Sequence, residues 1–244
     1  MVTIDARGVY YMHLNKRIRQ ALKDGADEIV LKNVNGQRYI ADAVRGNVKL
    51  MIEGIPGNDL AAYMDGPQVV VKGNVQDAVA NTMNGGTILI HGDAGDTLGY
   101  AMRGGEVFIH GNVGYRVGIH MKEYKDQIPL IVVGGKTGDF LGEYMAGGKI
   151  VVLGQPDGLE PIGNYCGTGM HAGVMYIRGD VPNYKLGREV QKSEPNEEDL
   201  AFLSETIGRF RVYFNLPEKE TENMHFTKLT PLGSRPYGNM YVKC

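Results

Sequence analysis

The sequence predicts an all-β protein built as a parallel β-helix of about seven coils, each of about 19 residues, with a helical flank at either end. Three observations predict it. Glycine accounts for 35 of the 244 residues, about twice its usual share of about 7%. A phrase is repeated, MNGGTILIHG at 83–92 and MRGGEVFIHG at 102–111. Inside each repeat the apolar residues alternate, which is the period of a strand.

Glycine at this level belongs to disorder, to collagen, or to a fold with many tight turns. Aliphatic runs exclude the first, and the lack of a strict period of three excludes the second. The glycines that close successive apolar runs are Gly54, Gly73, Gly92, Gly111, Gly134, Gly154 and Gly179, at intervals of 19, 19, 19, 23, 20 and 25. Nine residues before them stand Met64, Met83, Met102, Met145 and Met170, with exceptions at Arg45 and Lys125. Seven before stand Gly66, Gly85, Gly104 and Gly147.

Two columns are expected to line the interior. Two residues before the closing glycine come Ile52, Val71, Ile90, Ile109, Val132, Val152 and Ile177; four before come Leu50, Val69, Ile88, Val107, Leu130, Ile150 and Met175. A unit this short cannot bury its own apolar face, but copies stacked about 4.8 Å apart can. The methionines are expected to fill the irregular interior beside the corners. The column three before the glycine (Met51, Val70, Leu89, Phe108, Ile131, Val151, Tyr176) faces outward by alternation yet is wholly apolar. It needs a cover, from the rest of the chain or from another protein. Leu89, Phe108 and Ile131, with His91 and His110 beside them, are therefore the candidate interface.

The flanks offer covers and caps. At 1–45 the sequence predicts a helix, with Leu14, Ile18 and Leu22 every fourth residue and Gly25 to end it, followed by a capping strand, EIVLKN at 28–33. The β-helix proper spans 46–180. At 181–244 a second helix is expected in NEEDLAFLSETIGRF, with Asn196 as N-cap and Leu200, Leu203, Ile207 and Phe210 on one face. The stretch TKLTPLGSRPYGNMYVKC is expected to be an extended tail on the solenoid surface.

Net charge is −2, which argues against nucleic acid or an anionic membrane as partner. Two cysteines, Cys166 and Cys244, make no disulfide framework, so a reducing cytoplasm is expected. No run approaches the roughly 18 apolar residues of a membrane span, and MVTIDARG lacks the layout of a signal peptide.

Motifs that carry chemistry are weak. GGKTGDFLG at 134–142 suggests a phosphate loop, but Leu130 stands where that motif needs its first glycine, and a coil corner explains the stretch. Cys166 and His171 in GNYCGTGMHAG could form a nucleophile–base pair; an insertion in the coil is the plainer reading. His91 and His110 should stack on adjacent coils without the further ligands a metal needs. Asn74, Asp93 and Asn112 form a polar ladder, and Asp77 and Asp96 are turn aspartates rather than the paired acids of a glycosidase. No catalytic, cofactor-binding or metal-binding residue is assigned.

The serial GG–strand–G coils, above all MNGGTILIHGDAGDTLGYAMRGGEVFIHGNVG and YMAGGKIVVLG, resemble the G-x-G-x-G domain at the C-terminal end of the large subunit of glutamate synthase. That domain is similar to one of the subunits of formylmethanofuran dehydrogenase. The opening IDARGVYYMHLNKRIRQALKDGADEIVLKNVNGQRYI is similar to the extension of stand-alone, archaeal-type versions. The resemblance implies a right-handed β-helix with no catalytic residue of its own. It implies chemistry in partner subunits, a glutamine amidotransferase and a synthase carrying FMN and an iron–sulfur cluster. The chain would then be a structural subunit for glutamate formation from glutamine and 2-oxoglutarate. Alternatives are the equivalent subunit of a formylmethanofuran dehydrogenase-like or other amidotransferase complex, and a stand-alone β-helix enzyme on polysaccharides, which the absence of Trp disfavours. A solenoid without an enzyme partner is a further reading. Self-association stays open.

Overall fold

Among the described residues, eleven strands form one sheet: β1 (Val2–Asp5), β2 (Glu28–Asn35), β3 (Lys49–Ile55), β4 (Asp65–Val71), β5 (Gly85–Ile90), β6 (Glu106–Ile109), β7 (Leu130–Val133), β8 (Ala146–Val152), β9 (Ala172–Arg178), β10 (Val190–Ser193) and β11 (Phe226–Pro231). Helices α1 (Tyr11–Lys23) and α2 (Glu197–Phe214) accompany them. The structure, a computed structural model, describes residues 1–154, 160–218 and 224–233. Cys244 and the rest of the expected tail from 234 onward lie outside the described residues.

The strand order is β1-β2-β3-β4-β5-β6-β7-β8-β9-β11-β10. Every pair from β1 to β9 is parallel. The chain therefore makes one circuit between neighbouring strands, which is a parallel β-solenoid. The seven repeat strands β3 to β9 enclose six turns, one fewer than a count of closing glycines suggests. Strand β11 then pairs antiparallel with β9 and β10.

From β3 to β6 the register follows the predicted columns, with Leu50↔Val69↔Ile88↔Val107 and Ile52↔Val71↔Ile90↔Ile109. At β7 the prediction slips by one residue. Val107 pairs with Ile131, Phe108 with Val132 and Ile109 with Val133. Ile131 is thus fully buried in the interior rather than outward, while Leu130 and Val132 face out. A slip of one residue exchanges the two faces of a strand. The run LIVVGG carries no polar residue to set its phase and offers two glycines as its end. Gly135 closes this coil, not Gly134, and its N–H donates to Gly111 O at 2.9 Å.

Met64, Met83, Met102, Met145 and Met170 are fully buried in the interior. A sixth, Met121, completes the row. Lys122 N–H donates to Met102 O, and Ala146 N–H to Met121 O. The extra residues of this coil follow Met121 as a loop with a bridge between Tyr124 and Gln127.

Just before each of these methionines, two turns follow one another. Met64 N–H donates to Ala61 O, and Ala62 N–H to Asp59 O, and the same pair recurs at Met145 and Glu143. Positive φ angles fall at alternate residues, such as Asp59, Ala61 and Tyr63 near 60°. The middle position is Ala41, Ala61, Ala80, Gly99, Gly118, Gly142 or Gly167 from coil to coil. It points inward, and a Cβ on Gly118 (φ 70°) would lie 2.6 Å from Ile150 Cδ1. A left-handed conformation costs about 1–2 kcal/mol for a residue with a Cβ. Hydrogen bonds to the previous coil hold it, as where Ala80 N–H reaches Leu60 O at 2.9 Å. The residue before the middle position, Ile40, Leu60, Val79, Leu98, Val117, Leu141 or Cys166, adds a further interior column.

Helix α1 closes the N-terminal end of this interior with Leu14 and Ile18. Each alternate side chain of β5 is sealed in the interior, so Ile90→Asp should abolish the cooperative thermal transition, because the unpaired buried carboxylate destabilises by about 3–5 kcal/mol or more. An unchanged melting curve would show the inward column to be misassigned.

Candidate functional site

The outward apolar stripe needs a cover, from the chain or from a partner, and from Val70 to Tyr176 the chain supplies it. Val70, Leu89, Phe108, Val132, Val151 and Tyr176 form a second buried cluster with Leu203, Phe210 and Phe214 of α2 and Phe226 of β11. The helix begins as its sequence predicts. Asn196 Oδ1 accepts from Asp199 N, and Asp199 Oδ2 accepts from Asn196 N, each at 2.9 Å. Its buried face runs through Asp199, Leu203, Thr206, Phe210 and Phe214. Leu200, expected on that face, is 54% exposed, one residue away around the helix.

Two polar clamps position α2, and neither is visible as a motif. Asp199 Oδ1 accepts from the Tyr176 hydroxyl, and its Oδ2 from Lys228 Nζ, both at 2.6 Å. Burial alone would raise the Asp199 pKa. The Lys228 ammonium, the Tyr176 hydroxyl and the Asn196 N–H outweigh it and hold the carboxyl below its usual value. At the helix's other end Arg209 forks onto Glu106 of β6, with Nη1 donating to Oε1 at 2.9 Å and Nη2 to Oε2. The same guanidinium lies 5.1 Å from the Phe108 ring centroid. Phe210 can approach the sheet because Gly134 is below it, where a Cβ would fall 2.6 Å from Phe210 Cζ.

Leu89 and Phe108 of the candidate interface are therefore buried under α2, and Ile131 is in the interior. His91 and His110 stand on adjacent coils, and both rings pack against Phe214, with centroids 5.2 and 5.3 Å away. Lys72 Nζ is 3.0 Å from His91 Nε2 and donates to it when the imidazole is neutral. Burial, then Lys72 and His110, push the His91 pKa below that of a free imidazole. Among the described residues no group of three or more His, Cys, Asp or Glu could hold a metal ion.

The remaining candidates are engaged in the solenoid. Cys166 is fully buried in an interior column, and burial pushes its thiol up to about 12, opposite to an activated nucleophile. In GGKTG the backbone N–H groups are taken. Gly135 donates to Gly111 O, Thr137 to Pro161 O and Gly138 to Gly114 O, and Lys136 N–H donates to Asn112 Oδ1. A phosphate cradle needs such groups free. Asn74, Asp93 and Asn112 each accept the backbone N–H of the next coil, at 2.9, 2.7 and 2.9 Å. Asp77 and Asp96 do likewise for Asp96 and Tyr115.

One exposed feature escapes a reading of the strand phrase. The outward residues of the left-handed corners carry rings that stack along the solenoid: His120 on Tyr144 at 5.3 Å and Phe140 on Tyr165 at 4.9 Å. Counting from the methionine row instead of the closing glycine would align them.

Because the fold depresses the His91 pKa, the imidazole contributes stability that is complete above its unfolded value near 6.5 and lost as pH falls below it. The melting temperature should therefore decline between pH 7.5 and 5, and less so in His91→Gln. Parallel curves for the two proteins would contradict this placement of His91.

The chain matches the GXGXG motif family over residues 29–231. It is 46% identical to an uncharacterised protein of Methanocaldococcus jannaschii over 251 residues, covering 99% of this chain and 96% of that protein. Among solved structures, a chain of the formyltransferase/hydrolase complex from Methylorubrum extorquens, determined with methylofuran, superposes with a TM-score of 0.63 at 23% identity, over 79% of this chain and 70% of that one. At that identity the likeness is one of fold. From its coils outward, this chain belongs to the GXGXG family.

Proposed function

We propose that this chain is an assembly subunit, without catalysis of its own, of a glutamate synthase-type oxidoreductase. It would hold a glutamine amidotransferase part against a synthase part that carries FMN and an iron–sulfur cluster, in the cytoplasm. The observation that carries the reading is where the chemically capable side chains are engaged. The thiol, the turn aspartates and the N–H groups of the glycine-rich loop serve contacts within the solenoid, and the adjacent histidines pack against Phe214 of α2. A rigid stack of coils suits the role of spacer, because each coil fixes the position of the next. No helix among the described residues is long and apolar enough to cross a membrane.

A second reading is the equivalent subunit of a formylmethanofuran dehydrogenase-like complex. It is favoured by the likeness in fold to a chain of the formyltransferase/hydrolase complex, a fold that both readings share. The partners decide between them.

The test is isolation of the tagged chain from its own host under native conditions, with the associated proteins identified by mass spectrometry. We expect a flavin-containing synthase subunit and a glutamine amidotransferase. Formyl-transferring subunits in their place would establish the second reading. Turnover of glutamine by the purified chain alone would overturn both.

A further inference from the structure

The end of α2 rests on a row of basic side chains. Lys72, His91 and His110 take the same place on three successive coils, where their N–H groups donate in turn to Ile52 O, Val71 O and Ile90 O. Phe214, the last residue of α2, packs on both imidazoles, with ring centroids 5.2 Å from His91 and 5.3 Å from His110. Lys72 Nζ lies 3.0 Å from His91 Nε2. An ammonium has only donors, so this contact is a hydrogen bond only while His91 is neutral.

The charged groups around the row are already placed. On the sheet side Glu53 stands one coil before Lys72, and therefore on the far side of it from His91. Asp93, two residues beyond His91, gives its Oδ1 to the Asn112 N–H. On the helix side Arg211 pairs with Glu218 at 3.3 Å, and Arg209 with Glu106. Among the described residues neither imidazole forms an ion pair with a carboxylate; their contacts are Lys72 and Phe214. A helix C-terminus and a ring face each favour one nearby cation, and Lys72 already supplies it. Protonated His91 adds a second charge 3.0 Å away, and protonated His110 a third.

The rest of the helix is held elsewhere. Leu203 and Phe210 are buried against the sheet, and the Tyr213 ring packs on Phe108 with centroids 5.0 Å apart. Despite its burial, Asp199 is kept below its usual pKa by Lys228, Tyr176 and the Asn196 N–H, so its clamp stays ionised in mild acid.

We propose that the end of α2 is an acid-released latch: protonation of His91 breaks its bond to Lys72 and lifts Phe214 from the sheet, while the clamps at Asp199 and Arg209 keep the rest of the helix docked. Phe214 shares its buried cluster with Val70 and Leu89. Release would therefore uncover that end of the outward stripe, next to the half-buried Met51. Burial, then Lys72 and His110, lower the His91 pKa, which sets the sign. Docking of Phe214 is fully supported above about pH 6.5 and loses that support as pH falls below it.

The test is hydrogen exchange of the full chain at about pH 7.5 and about pH 5, with rates corrected for the intrinsic effect of pH. In wild type the protection of the amides from Arg211 to Leu216 should fall by about fivefold or more in acid, while that of Phe202 to Thr206 holds. His91→Gln keeps an acceptor for Lys72 at every pH and should abolish the fall. Equal corrected protection at the two pH values would overturn the proposal. So would a fall shared by the whole of α2, or one that persists unchanged in His91→Gln. Should His91→Gln fail to fold, Lys72→Gln decides the matter: removing the ammonium should shrink the fall by about half or more, and a fall equal to wild type would overturn the latch.

Discussion

The coil-to-coil hydrogen bond is the interaction on which the rest depends. No coil can satisfy its own backbone. The N–H groups of Tyr63, Thr82, Ala101, His120 and Tyr144 each donate to a carbonyl of the next coil, at 2.8–3.0 Å. Turn side chains extend the same pattern where the backbone runs out, as in the Asn74, Asp93, Asn112 ladder. The stacking holds the left-handed corners in place, and the corners in turn aim Leu60, Val79 and Leu98 and the methionines into one interior. An insertion is tolerated only where it can loop out between these bonded positions, as it does after Met121.

A stack of this kind solves its interior but leaves the outer face of its sheet apolar. Helix α2 answers that with three phenylalanine-and-leucine contacts and two polar clamps, one at either end. The clamp at Asp199 joins the helix N-cap, the last repeat strand and β11, so the same carboxylate fixes three elements. The Arg209–Glu106 fork is set beside Phe108, where the guanidinium covers a ring as well as pairing a charge. The outward stripe from Val70 to Tyr176 is thereby closed by the chain's own helix and β11.

The repeat, the parallel stacking and both helices are legible in the sequence because β-branched columns, glycines and caps recur at fixed offsets. Legibility fails where those signals lose phase. Leu130 to Val133 are all apolar, so alternation cannot say that Ile131 points in and Val132 out; only pairing with Phe108 decides it. Leu200, Leu203, Ile207 and Phe210 fit one helical period, which puts Leu200 on the buried face of α2, whereas the sheet meets the face centred on Leu203, Thr206 and Phe210. The cover of the outward stripe cannot be chosen from sequence. Arg209 and Glu106 are 103 residues apart, and no local pattern joins them. Cys166 is masked by its glycine-rich neighbours, although its offset of four before Met170 is that of Leu60 before Met64 and marks it as an interior residue.

The central claim is that the chain seals its own outward stripe with α2. A double-mutant cycle on Glu106→Gln and Arg209→Met, read by denaturant unfolding, tests it most directly. The account predicts that the two losses are non-additive, with a coupling energy of about 1 kcal/mol or more for a partly buried, bidentate pair. Losses that simply add would mean that α2 does not dock on β6 in solution and that the stripe is free for another protein.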